Sequence, residues 1–310
     1  MSKRTARQLL GITARGLAMG AADVVPGVSG GTIAFITGIY EELLETLSNL
    51  SIDTLTGLFR DGIKATWKAI NGNFLLSLFG GILISIFSLA KLIEYLLVAH
   101  PHLLWAFFFG LVAASIIYVG KQVGQWNLQT IVSLLVGSAV AFWITLLPPM
   151  GNVSDWWYLL ICGSIAICAM ILPGISGSFI LLLLGAYPTV ISAVSDRDFS
   201  ILSIFALGCV IGLMLFSRLL NWMFKHVKNV TIAVLTGFLI GSMNKLWPWK
   251  VNVGDSPIMT HSDGRQDWLQ NNVMPADFPT EPQIVGVVLL ALLGFALIFI
   301  MERFASSTQP

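Results

Sequence analysis

Six apolar stretches, at about 74–98, 103–120, 128–147, 201–224, 230–247 and 283–301, are each long enough to cross a lipid bilayer as a helix. About 20 apolar residues cover a hydrocarbon core of roughly 30 Å. Inside that core every backbone polar group must find its partner within the protein, which favours helices for segments of this length. Composition agrees, with 56% of residues hydrophobic and 11% charged, against about 25% charged in a soluble domain. The expected fold is therefore an all-α polytopic membrane protein. A net charge of +1 lends no support to nucleic-acid binding. Cys162, Cys168 and Cys209 all lie in apolar runs, without the paired spacing of a zinc site or disulfide frame. Neither a metal nor a cofactor is expected.

Four more apolar segments are short or interrupted. Leu9 to Val25 contains Arg15 and Asp23, and Val28 to Tyr40 stops before Glu41 and Glu42. Trp156 to Leu172 is followed by Ile175 to Val194, which Pro188 should break. Each pair flanks a Pro-Gly sequence and is read as a re-entrant hairpin, or as helices broken near the middle of the bilayer. Lysine and arginine counts orient the chain. With the N-terminus inside, 11 of the 17 basic residues fall in cytoplasmic loops or termini. Both termini are then cytoplasmic, and loop 248–282 faces outward. Residues 41–72 read as short interfacial helices.

The chain also repeats itself. The segment 26-PGVSGGTIAFITGIY-40 matches 173-PGISGSFILLLLGAY-187 at an offset of 147. A second block, 81-GILISIFSLAKLIEYLL-97, matches 208-GCVIGLMLFSRLLNWMF-224 at an offset of 127 and sets Lys91 opposite Arg218. The expected halves are 1–147, including interfacial segment 41–72, and 148–310, including external loop 248–282. Each holds five apolar segments. An odd number of crossings inverts the second half, the architecture of secondary transporters whose substrate sits at the repeat interface.

The turns have a chemical logic. Proline ends the incoming helix, glycine permits the reversal, and Ser29 or Ser176 can cap the outgoing helix. The free N–H groups there would favour an anion such as phosphate. Candidate phosphate ligands are Gly27, Val28, Ser29, Gly30, Gly31 and Thr32 in the first turn. Gly174, Ile175, Ser176, Gly177 and Ser178 are their counterparts in the second. Lys91 and Arg218 join them, because a cation inside a span needs a partner. The competing roles are helix packing for the glycines and snorkelling for the cations, with a Lys91–Glu94 pair as a further option. Asp23, whose repeat mate is Met170, is an acid present in one half only. It is a candidate proton carrier, with Arg15, Glu94 and Glu41 as associated groups; an Asp23–Arg15 salt bridge is the structural alternative.

Ala22-Asp23, 26-PGVSGGT-32, 38-GIYE-41, 173-PGISGS-178 and 185-GAY-187 closely resemble the bacterial polyprenyl-phosphate transporter family. The resemblance covers nearly the whole chain apart from loop 248–282. It implies a multi-pass protein of the bacterial cytoplasmic membrane that moves undecaprenyl phosphate, the lipid carrier of envelope glycans such as peptidoglycan, back to the inner leaflet. The partners implied are that lipid and the membrane itself. Oligomeric state stays open, a homodimer included. The residues alone reach only an anionic group at a repeat interface, so a transporter of a small soluble anion is the main rival. The GxSG sequences at Gly27–Gly30 and Gly174–Gly177 match those of intramembrane serine proteases. Their chemistry needs a histidine base, yet His100, His102, His226 and His261 lie in loops or at span ends. An enzyme is not expected.

Overall fold

The computed structural model describes residues 4–24, 29–50, 54, 56, 60–151, 153, 155–254, 257, 259–260 and 266–306. In the first half, helix α1 (Ala6–Asp23) leads to the first turn, followed by α2 (Gly30–Ile36) and α3 (Tyr40–Ser48). Then come α4 (Ile63–Ala69), α5 (Gly72–Ala99), α6 (Pro101–Gly120) and α7 (Leu128–Leu146). The second half contains α8 (Trp156–Ile171), α9 (Gly177–Leu183), α10 (Tyr187–Asp196), α11 (Phe199–His226), α12 (Lys228–Ser242) and α13 (Ile284–Ser306). Among the described residues four helices, α5, α6, α7 and α11, are long and apolar enough to cross a membrane, and the bent pair α9–α10 makes a fifth if it is one span.

The helices pack in pairs through glycine. Gly16 and Gly20 of α1 lie on the backbone of Leu78 and Ile82 of α5, and Gly81 lies on Thr13. In the second half Gly208 and Gly212 of α11 lie on Leu160 and Ser164 of α8. The contacts advance together, so both pairs run parallel. Gly81 and Gly208 are matched positions of the repeat, and so are their partners Thr13 and Leu160, which stand at the 147-residue offset. The remaining long helices pair across the halves. Gly237 and Gly241 of α12 lie on Leu134 and Ser138 of α7, while Gly286 and Gly294 of α13 lie on Leu103 and Phe107 of α6. A missing Cβ at each crossing lets the backbones approach closely where apolar burial gives little drive.

The two interrupted segments break in one way. Thr37, Gly38 and Ile39 donate their N–H groups to Ile33, Phe35 and Ala34; Leu184, Gly185 and Ala186 do so to Ile180, Leu182 and Leu181. Every member stands 147 residues from its mate. Each set is a helix C-terminus closed by a left-handed glycine, with φ of 72° at Gly38 and 67° at Gly185. The break in the second segment, a bend of 114°, therefore falls at Gly185 and not at Pro188. Pro188 sits in the first turn of α10, where its missing N–H costs nothing.

One other expectation needs correction. Segment 230–247 is not one span: α12 stops at Ser242 and a short 3₁₀ turn, Met243–Leu246, completes it. Helix α3 buries Tyr40, Leu43, Leu44 and Leu47, largely against α11, while α4 exposes Ile63 and Trp67. The loop after α12 carries two short antiparallel ladders, β1 (Lys250–Val253) with β4 (Leu269–Asn272) and β2 (Met259–Thr260) with β3 (Gln266–Asp267), and a 3₁₀ turn at Pro275–Asp277. Its alternating polar residues sit outside the apolar helices, so they carry no helical period to follow.

Gly185→Ala forces a side chain to φ of 67° and drives its Cβ into the Met150 and Gly151 carbonyls. Strain of this kind costs about 1–3 kcal/mol, and thermal unfolding of the purified protein in detergent should show a clearly lowered midpoint.

Candidate functional site

The tips of the two interrupted segments meet. Ser29 is the N-cap of α2: its Oγ accepts from Gly31 N at 3.1 Å and lies 3.0 Å from the carbonyl oxygens of both Met170 and Leu172. Thr32 Oγ1 accepts from Gly174 N at 3.0 Å, and Tyr40 donates its hydroxyl to the Ile171 carbonyl at 3.2 Å. Ser29, Thr32, Gly174 and Tyr40 are all buried, so these bonds replace water for backbone groups that the proline turn leaves unpaired. Gly174 takes φ of 90° with Ser242 and Phe238 pressed against it. A side chain has neither the conformation nor the space there.

The two turns differ in what faces them. Asp23 Oδ1 accepts from Gly30 N at 2.6 Å, so a carboxylate closes the start of α2. A Cβ at Gly30 would stand 2.5 Å from Asp23 Oδ2, so the carboxylate would have to shift to admit one. At the second turn Met170 replaces the acid, and Ser176 makes no capping bond to α9. Its Oγ lies instead 2.8 Å from Ser178 Oγ. Beside these serines is a narrow cleft lined by Ala141, Ile144, Thr145, Gly174, Ile175, Ser176, Phe179 and Lys245. Lys245 Nζ stands 4.5 Å from the centre of the Phe179 ring. Lys250 is close by, donating to the Lys245 carbonyl at 2.5 Å with its ammonium 3.7 Å from the Trp105 ring centre. Burial first, and then the charge of Lys245, push the Lys250 ammonium well below its ordinary value. An anion placed beside these two cations would relieve both costs.

The structure thus brings together Asp23, Ser29, Gly30, Gly31, Thr32, Gly174, Ile175, Ser176, Gly177 and Ser178. It does not bring Arg218 or Lys91 to them. Arg218 is exposed, and its guanidinium donates to the carbonyls of Ser48 and Leu50 at 3.4 and 3.2 Å. The open carbonyls at the C-terminus of α3 are its partners. Lys91 is on the exposed face of α5. Glu41 pairs with Lys228 at 2.7 Å, and Arg15 lies in a separate cleft with Glu42. The Asp23–Arg15 bridge, the structural alternative for Asp23, is absent among the described residues. Gly27 and Val28, and the side chain of Glu94, lie outside the described residues. Lys245 and Thr145 were missed from the sequence. The available signal was a lysine inside apolar segment 230–247, which a span-and-loop reading assigns to the outer edge.

A family model for undecaprenyl phosphate translocase-like proteins matches residues 19–265, both turns included. The chain belongs to that family. Among its relatives is a polyprenyl-phosphate transporter of Vibrio cholerae, 47% identical over 296 residues, which are 94% of this chain and 95% of that protein. Another is a polyprenyl-phosphate transporter of Staphylococcus aureus, 32% identical over 253 residues, 76% of this chain and 84% of that protein. No solved structure matches the chain significantly. The translocase-like family thus joins a set of apolar helices to relatives named as transporters, not enzymes, and this member is a multi-pass membrane protein.

Thr32→Val keeps the shape at the crossing but leaves Gly174 N–H buried and unpaired. An orphaned donor costs about 1–3 kcal/mol. Thr32→Val should therefore unfold at a lower temperature than the wild type, and Thr32→Ser should restore most of the loss.

Proposed function

We propose that this protein transports polyprenyl phosphate, with undecaprenyl phosphate as its substrate, returning the phosphate head from the outer to the inner leaflet of the bacterial cytoplasmic membrane. The carrying observation is the contact of the two turns, Gly174 N–H to Thr32 Oγ1, beside a cleft that presents Ser176 and Lys245. The names of the two relatives support the substrate. The helix senses support an inverted repeat: the parallel pairs α1–α5 and α8–α11 are repeat mates. Moreover α6 and its mate α12 lie antiparallel, with Gly120 beside Thr236 and Gly124 N bonded to Asn229 Oδ1. In this reading both termini face the cytoplasm, loop 248–282 faces outward, and the halves are 1–147 and 148–310.

The prenyl tail remains in lipid while the head passes between the turns. Lys245 and Lys250 draw the phosphate from outside, and the Ser176 and Ser178 hydroxyls donate to its oxygens once it enters the cleft. On the other side of the crossing the start of α2 offers backbone amides to the head, where Asp23 holds that of Gly30 and Ser29 that of Gly31; Gly27 and Val28, outside the described residues, keep their proposed role. Protonation of Asp23 would release Gly30 N–H to the passing head and would carry positive charge inward with it. Moving one negative charge toward a negative interior costs about 2.3 kcal/mol per 100 mV, which proton movement offsets. Lys91 and Arg218 have no contact with the head in this scheme.

The test is reconstitution in liposomes, following leaflet exposure of undecaprenyl phosphate with and without a proton gradient. Wild-type protein should move the lipid faster with the outside acidic. Asp23→Asn should lower the rate and flatten its dependence on external pH, and Lys245→Gln should slow uptake at least tenfold. An Asp23→Asn rate equal to wild type at every pH would remove that residue from the mechanism.

A further inference from the structure

A second basic cleft opens at the other end of α1. It is lined by Arg4, Gln8, Gly11, Ile12 and Arg15 of the α1 face and by Glu42 of α3, and encloses about 130 Å³. The cleft beside the second turn holds about 10 Å³, room for about one water. Two guanidiniums and one carboxylate line the larger cleft, so its charge is positive. Glu42 is shared: it pairs with Arg4 and also accepts from Asn71 Nδ2 at 2.9 Å. Arg4 lies 5.3 Å from the Phe74 ring centre, and its Nη1 is buried with no hydrogen-bond partner among the described residues. A guanidinium nitrogen left this way is costly, and a planar fork of N–H groups fits the oxygens of a phosphate. Arg15 stands two helical turns, about 12 Å, from Asp23 at the crossing. Arg4 continues the same line toward the end of the helix.

We propose that this cleft is a binding site for a phosphate monoester, the station that receives the headgroup after it leaves the turns. Arg4 and Arg15 grip the phosphate oxygens. Glu42 competes for Arg4 and lets the anion go. The carboxylate thus sets how long the headgroup stays, and the Arg218, Asn221 and Lys228 contacts that fasten α3 to α11 and α12 hold it in place. This site rests on the transporter reading for the lipid form of its ligand, but its chemistry is that of any phosphate monoester or of free phosphate.

The experiment is equilibrium binding of labelled farnesyl phosphate, and separately of inorganic phosphate, to the full chain in phosphatidylcholine nanodiscs. It is run in wild-type protein and in Lys245→Gln protein, where remaining binding reports the cleft. Arg15→Gln and Arg4→Gln should weaken the remaining binding at least tenfold, and Arg15→Lys should recover part of it. Glu42→Gln should tighten it about threefold, whereas a carboxylate that merely braces the helices would weaken it or leave it unchanged. Inorganic phosphate that binds alone and displaces the lipid at equal concentration marks free phosphate as the ligand; lipid binding without such displacement marks the headgroup. If Lys245→Gln protein binds neither probe, or the arginine variants bind as their parent does, the cleft proposal is overturned. Transport of undecaprenyl phosphate by wild-type protein in liposomes would then leave the transporter reading standing, and its absence would remove that as well.

Discussion

The architecture depends on a bond across the middle of the molecule, in which a threonine hydroxyl of one half accepts the backbone N–H of a glycine in the other. Ending two helices inside a membrane leaves amides and carbonyls that lipid cannot serve. Here each half serves the other. Ser29 reaches the carbonyls at the end of α8, Tyr40 reaches Ile171, and Thr32 answers Gly174. A place where broken helices satisfy one another is also a place where backbone polarity exists away from water, and an ionic headgroup needs such a place.

The repeat shows how far physics can be read from letters. Identical spacing in 26–40 and 173–187 carries identical hydrogen bonds at Gly38 and Gly185, because a left-handed C-terminus is a local property of the chain. Likewise Gly81 and Gly208 fall at helix crossings, since only glycine permits such an approach. What sequence did not reveal was partnership between distant groups. Arg218 looked like an intramembrane cation in need of an anion, yet the free carbonyls that end α3, some 170 positions away in the chain, supply its acceptors. Lys245 looked like the edge of apolar segment 230–247, because hydropathy registers depth and not the direction in which a side chain points. The strands of loop 248–282 left no signal, being too short and too polar for a period of two to stand out.

Symmetry in the frame makes the asymmetric positions informative. Along the matched turns, Asp23 faces Met170, Gly31 faces Ser178, and Thr32 faces Phe179. The first turn has an acid that already occupies a helix start; the second has two hydroxyls, an aromatic ring and a lysine laid over it. Two turns of equal chemistry would hold a phosphate equally well, and a bound ion would gain nothing by moving. Under the proposed function, unequal turns would give the movement a direction: the second turn would receive the anion, and the first would need its carboxylate neutralised beforehand.

That inequality bears on how the carboxylate and the phosphate exclude each other. Both seek the same kind of donor, the free N–H at the start of a short helix, and both are anions that repel at close range. While Asp23 is ionised and bonded to Gly30, a phosphate beside Ser176 meets a negative neighbour across the crossing. In the proposed cycle, neutralising Asp23 would remove the repulsion and free the Gly30 N–H in one step, which would couple passage of the headgroup to uptake of a proton. A second copy of the acid at Met170 would place like charges on both sides and close the route to any anion. The single aspartate is thus what the duplicated frame requires if the frame is to conduct a negative group through its centre.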